Sequence, residues 1–201
     1  MSTNLTSLPS PSFLIDLKTQ TAVSHKKLER LSISASIISP DMQLSDYVHY
    51  LSLMYDVHKD TEDLVFPLVS NVLDDLKQRK KSNLIEDDLF YLKHNKSIAT
   101  RVFNISEMSV PFALGILYVI EGSTLGGRFI LKNITTVAGL DNGQGVSYFN
   151  GYGEKTGSYW KSFLNFLEEY EQIYKCSDTI IEGAKYAFDS IYNHFESSEK
   201  K

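Results

Sequence analysis

Along the first 114 residues apolar side chains recur at intervals of three and four, with charged and hydroxyl residues between them. That is the period of helices with one buried face. The first stripe runs Leu14, Leu17, Thr21, His25, Leu28 and Leu31. It predicts a helix starting near Ser10, Pro11 or Ser12, where a capping residue stands beside a proline suited to an early helical position. His25 lies at the centre of the apolar stripe, and Glu29 follows it by one turn, within side-chain reach. A second helix is predicted over 44–58, after Pro40, carrying Tyr47, Tyr50, Leu51, Met54, Tyr55 and His58. A third is predicted over 60–77, kinked or restarted at Pro67, and a fourth over 85–102. Residues 139–157 hold six glycines and read as loop and turn. Two helices close the chain. The one over 157–174 shows Trp160, Phe163, Leu164 and Leu167; the one over 178–195 shows Ile181, Ala184, Phe188, Ile191 and Phe195. No alternating run is long enough for a sheet, and no repeat or linker divides the chain. The expectation is an all-α, single-domain bundle over 11–196, with flexible ends at 1–10 and 197–201.

All eleven glycines stand at or after Gly115. The stretch 115–131, opened by Pro111, keeps helical spacing through Ile116, Leu117, Ile120, Leu125, Phe129 and Ile130, yet Gly122, Gly126 and Gly127 interrupt it. Each glycine in a helix costs about 1 kcal/mol relative to alanine. Gly122 and Gly126 share one face, four residues apart. A bared face admits either a second helix at close range or a flat ligand, and both readings stand at this point.

Composition narrows the function. At 201 residues the chain suits one core. A net charge of −5 argues against nucleic acid as the main partner. Cys176 is the only cysteine, so an internal disulfide and a multi-cysteine metal site are excluded and a reducing compartment is expected. No signal peptide is read at the start and no apolar run approaches the roughly 20 residues of a membrane span, so a soluble cytoplasmic protein without a membrane partner is expected. His49, His58, His94 and His194 lack a second ligand at a useful spacing, and no Glu-x-x-His pair marks a di-iron site: Glu62 follows His58 in the wrong order. The run Lys77 to Lys81 reads as a solvated helix end. His25 is either a satisfied core histidine or a ligand oriented by Glu29. One inward imidazole and one glycine-bared helix together are a way to clamp a haem.

At these residues the chain resembles a known family, the haem oxygenases, in particular their bacterial biliverdin-forming branch. Leu17-Lys18-Thr19-Gln20-Thr21-x-x-x-His25-x-x-Leu28-Glu29 is similar to the family's proximal helix, and Leu117-Tyr118-Val119-Ile120-Glu121-Gly122-Ser123-Thr124-Leu125-Gly126-Gly127 to the bacterial distal helix. Tyr148-Phe149-x-x-Tyr152-Gly153, Gly157-x-x-Trp160-x-x-Phe163 and Ile181-Glu182-x-Ala184-Lys185-x-Ala187-Phe188 continue the likeness in order. The resemblance implies oxidative cleavage of haem, both substrate and cofactor, to biliverdin, carbon monoxide and iron with O2 and external electrons. It implies His25 as iron ligand with Glu29 as its partner. Lys18, and more loosely Lys175, would stand near haem propionates, with Thr21, Tyr118, Gly127 and Phe188 in the pocket and Gly122, Ser123 and Gly126 on the catalytic distal face. A ferredoxin, flavodoxin or reductase would supply electrons, docking on Lys26, Lys27 and Arg30, and a bacteriophytochrome is a candidate bilin acceptor. Animal-type members carry Asp where this chain has Ser123, so its proton-donor network must differ. Rival readings are a non-catalytic haem carrier of the same fold and a thiaminase-like enzyme, the latter weakened because Cys176 sits in no motif.

Overall fold

The structure, a computed structural model, describes residues 12–96, 98–136, 140 and 142–199, the Arg128 side chain excepted. The expected flexible start at 1–10 and the Ser10–Pro11 start of the first helix lie outside these residues. Every regular element among them is helical. In chain order these are α1 Phe13–Glu29, α2 Ser32–Ser36, α3 Leu44–Asp60, α4 Phe66–Val69, α5 Leu76–Arg79, α6 Ser82–Tyr91, α7 Val110–Ile134, α8 Ser147–Asn150, α9 Thr156–Tyr174 and α10 Ser177–Glu199.

The boundaries follow local chemistry where a local signal exists. Ser109 accepts a hydrogen bond from the Phe112 backbone N–H and opens α7, with Pro111 in the first turn, where no donor is missed. Gln43 and Asp46 form a reciprocal capping box at the start of α3. Three predicted boundaries fail for tertiary or backbone reasons. The helices expected over 44–58 and 60–77 are one run: α3 passes through a π-helical turn, Thr61–Val65, into α4. The wide turn accommodates Pro67, which has no N–H to give, and the chain leaves the helix only after Val69. The helix expected over 85–102 stops at Tyr91, with Lys93 left-handed (φ 58°). Beyond it two buried carboxylates of α3 capture the backbone: Asp56 accepts from Thr100, and Asp60 from Val102 and Phe103. Lys96 and His194 also bind Asp56. α10 runs on to Glu199, whose carboxylate accepts from the Ile33 backbone N–H at 2.8 Å and caps α2.

The core gathers round α7 and α10, the most extensively packed pair. A Cβ on Gly115 of α7 would strike the carbonyl of Ile180, and one on Gly183 of α10 the carbonyl of Phe112. The two glycines bring the helix backbones into direct contact, so the helix-packing reading of the glycine-rich stretch is realised at its first glycine. α1 lies against α10 as well, and at its edge against α9. Both α1 and α7 are thus docked on α10.

The window Val110–Gly127 is long and apolar enough, by length and composition, to cross a membrane (mean hydropathy 1.3), which the sequence reading had not allowed. Its burial, 56 % of the window, and its backbone contact with α10 make it a core helix here.

The crossing yields a prediction. Gly183→Ala should lower stability by about 1–3 kcal/mol through overpacking, seen as a drop in Tm, whereas Gly157→Ala, in α9 and with nothing within 4 Å of its new Cβ, should be neutral or stabilising. Equal melting curves for the two variants would contradict the crossing.

Candidate active site

α1 and α7 present the site from two sides. Along α1, Leu17 and Thr21 are buried, but the next residue on that face, His25, has a side chain 55 % exposed. Its Nδ1 is 3.5 Å from Glu29 Oε2, and its ring meets the edge of buried Phe188 of α10 at 5.6 Å between centroids. Glu29 and Phe188 thereby set the ring's orientation and leave Nε2 open. The histidine is therefore not the buried, satisfied core residue that one reading allowed.

α7 shows three faces. The face bearing Ile116, Ile120 and Gly115 is in the core. A second face meets the 147–160 region: a Cβ on Gly127 would sit 3.1 Å from the Phe149 carbonyl, and one on Gly122 3.4 Å from the outer ring of Trp160. The third face is bare. Gly126 has nothing within 4 Å of a Cβ position, and its neighbours Leu125 and Phe129 are 46 % and 78 % exposed. Tyr118 stands one turn before Gly122, packs on Trp160 at 5.5 Å, and meets the Thr21 hydroxyl of α1. One turn onward from that contact stand His25 on α1 and Gly122 on α7.

The donor set fits a flat, apolar, iron-bearing group. An imidazole whose Nδ1 faces Glu29 would have Nε2 to offer to iron. A glycine with open space and two uncovered apolar side chains suit a macrocycle face. Among the described residues no group of three or more His, Cys, Asp and Glu could hold a metal ion.

A family model described as heme oxygenase matches residues 11–197. The chain belongs to the heme oxygenase family. It is 25 % identical over 166 residues to heme oxygenase PigA of Pseudomonas aeruginosa, covering 82 % of each chain. Solved heme oxygenases share its fold. The Leptospira interrogans enzyme superposes with a TM-score of 0.78 at 18 % identity, over 93 % of this chain and all of that one. The Neisseria meningitidis enzyme gives 0.74 at 22 %, over 94 % and 92 %.

Among the expected heme oxygenase site residues, the structure brings His25, Glu29 and Phe188 together, and likewise Thr21 and Tyr118. Gly122, Ser123, Gly126 and Gly127 follow on one helix but on different faces. Lys18 is exposed on α1, one turn before Thr21 and Ala22. Lys175 ends α9 in the left-handed conformation (φ 49°), exposed. No hydrogen bond, ion pair or ring contact among the described residues ties it to the others.

Sequence reading missed what stands behind Ser123. Its hydroxyl donates to the Ile120 carbonyl at 2.7 Å and meets the hydroxyl of buried Tyr148. That phenol lies 3.0 Å from Nε2 of His58, which is buried in turn. Asp88 fixes Tyr148 by accepting from its backbone N–H and that of Ser147. Burial, with Tyr50 adding, raises the Tyr148 phenol far above its ordinary range; burial, with Lys81 adding, lowers His58 to about 3. Both are therefore uncharged at neutral pH. The missed signal was His58 itself, set aside because its partner lies 90 residues away.

A second buried cluster holds α7 just before Gly122. Arg79 donates to Glu121 at 2.6 Å and, through two nitrogens, to Asp75 at 2.7 Å; Tyr152 donates to Glu121 at 3.0 Å. The Lys81 ammonium lies 3.5 Å from the Tyr152 ring centre, and burial lowers its pKa to about 8. The expected solvated helix end at 77–81 is thus half inside the protein: Arg79 and Lys81 are buried. Removing one partner of such a pair strands the other charge and costs about 3–5 kcal/mol.

The His58 shift sets a pH dependence. Its folded pKa lies below the unfolded value, so the unfolded chain takes the proton first as pH falls. The contribution is complete above about pH 6.5 and declines toward about pH 3. Between pH 6.5 and 5 one proton contributes a slope of up to about 1.4 kcal/mol per pH unit. Urea unfolding across that window should lose this component in His58→Gln, whatever that variant's stability at pH 7; an unchanged slope would mean His58 is protonated in the fold.

Proposed function

We propose that this chain cleaves haem oxidatively to biliverdin, carbon monoxide and iron, using O2 and electrons from an external donor. Membership of the heme oxygenase family supports the reading, and the observation that carries it is Gly126. In a core that packs Gly115 and Gly183 against backbone, this glycine faces open space beside uncovered Leu125 and Phe129.

On this reading haem is the substrate and itself supplies the redox-active iron and the carbon that is oxidised. The protein's own groups do the rest. His25 would hold the iron, with Glu29 and Phe188 beside its ring to orient it. Gly122 and Gly126 would let α7 come close to the macrocycle, with Gly127 seating that helix on Phe149. Thr21 and Tyr118 close one end of the cleft, and Lys18 and Lys175 are the cations assigned to the propionates. Leu125 and Phe129 exclude water. Ser123, with Tyr148 and His58 behind it, replaces a distal carboxylate: a neutral phenol backed by a neutral imidazole can hold and pass a proton without leaving a charge in the pocket.

Purified protein titrated with haemin should form a one-to-one Soret complex that, with ascorbate and catalase present, decays to the biliverdin absorption. Tyr148→Phe should keep the complex and slow its decay by an order of magnitude or more, a loss typical of removing a positioned proton donor. A stable complex in the unmodified protein would favour a haem carrier instead, and an unchanged rate in Tyr148→Phe would remove Tyr148 from the proton path.

The electron donor is assigned to the outer side of α1. Lys26, Lys27 and Arg30 are exposed and, with Val23, Leu31 and Tyr192, line a shallow groove, with the Lys27 ammonium 3.7 Å from the Tyr192 ring centre. An acidic ferredoxin, flavodoxin or reductase suits this surface, and the biliverdin released would be available to a bacteriophytochrome. Changing all three cations to Glu should slow ferredoxin-supported turnover, most at low salt, and spare ascorbate-supported turnover. Equal losses in both assays would contradict the assignment.

A further inference from the structure

One face of α9 is a file of aromatic rings. Trp160, Phe163, Phe166, Tyr170 and Tyr174 recur at spacings of three and four, which places them in line along the helix. Successive ring centroids are 6.1, 6.5, 6.0 and 4.4 Å apart. At the inner end Trp160 packs on Tyr118 of α7 at 5.5 Å and against Gly122, beside the bare face. At the outer end Tyr174 is 59 % exposed. Core packing accounts for Phe163, which is wholly buried, but not for two tyrosines in ring contact at the solvent end, where burial gains little. Nor does packing select the ring types: the rings at both ends, Tyr118 and Trp160 inside and Tyr170 and Tyr174 outside, are those that give up one electron readily.

Electron transfer weakens steeply with distance, so a string of oxidisable rings replaces one long step by shorter ones. We propose that this file is an exit for oxidising equivalents, guarding the site against peroxide that reaches haem without opening the ring. The proposal rests on the haem reading above. Reduction of one hydrogen peroxide to two waters needs two electrons and two protons. Each electron leaves Tyr118 or Trp160, which loses a proton and becomes a neutral radical. Electrons from Tyr170 and then Tyr174 refill the inner rings, moving the vacancy outward. Ascorbate returns one electron and one proton to each exposed Tyr174 radical. The span from Trp160 to Tyr170, roughly 15 Å of helix, is bridged by Phe163 and Phe166 and is the slowest stage.

The test adds a small excess of hydrogen peroxide to the ferric haem complex, without reductant, in the presence of a nitrone spin trap, and locates adducts by peptide mass spectrometry. Freeze-quenched samples give the tyrosyl signal by electron paramagnetic resonance. The expected result is a haem-dependent adduct on Tyr174 that falls severalfold in Trp160→Phe. Tyr170→Phe, a change at a half-buried surface ring, cuts the file a second time and should lower the Tyr174 adduct as well, even if Trp160→Phe is poorly folded. Tyr174→Phe should leave haem cleavage unchanged and shift trapped radical to inner rings. A Tyr174 adduct that forms without haem, or that is as strong in both cut variants as in the unmodified protein, would overturn the proposal. If haem is bound and cleaved yet no adduct forms on Tyr174, the file alone is refuted; if no haem complex forms, the file falls together with the reading beneath it.

Discussion

The backbone contact between α7 and α10 is the constraint on which the rest depends. Gly115 and Gly183 each occupy a point where a methyl group would meet a carbonyl of the other helix. The crossing fixes α7 at a distance no side-chain packing could reach. α1 docks on the same α10, through Phe188 against His25 and Lys185 donating to Gln20 at 2.7 Å. The two helices that carry the site residues are therefore positioned by a common third helix. α1 and α7 meet at Thr21 and Tyr118, while Leu125 and Phe129, farther along α7, stay uncovered on a helix whose opposite face is core.

Among the described residues, the polar groups tied into α7 next to Gly122 stand on the flanks of the bare face. Glu121, one residue before Gly122, is bound by Arg79 and Tyr152; its carboxyl is pushed up by burial, against the opposing pull of Arg79. Ser123, one residue after, leads to Tyr148 and His58. The charged cluster pins the helix in rotation as well as translation, because the Arg79 guanidinium is forked between two carboxylates. The neutral relay then lies beside the bare face without placing a charge near it. On our reading this division of labour lets an apolar macrocycle sit against α7 while a proton source stands one residue away.

Much of this was legible in the sequence because it is local. The 3–4 spacing marked the long helices, Glu29 four residues after His25 marked the pair, and the glycines marked α7. What was not legible depends on residues far apart in the chain. Asp56 and Asp60 end the expected 85–102 helix by binding a backbone some 40 residues away, and no propensity records that. Gly115 was read only as the edge of a glycine-rich stretch, since its partner, Gly183, lies on another helix. His58 was passed over for want of a neighbour at helical spacing, and the basic run at 77–81 was read as solvated because nothing local announces that Glu121 receives Arg79. The roles of Lys18 and Lys175 come from family resemblance alone, and their side chains stand exposed.

The central claim is that His25, presented by α1 and steadied by Glu29 and Phe188, holds a haem against the bare face of α7. Resonance Raman spectroscopy of the ferrous haem complex tests it directly. An iron–imidazole stretching band is expected in the unmodified protein, with its loss in His25→Ala and its return when free imidazole is added to that variant. A band that persists in His25→Ala without added imidazole would place the ligand elsewhere and contradict the account.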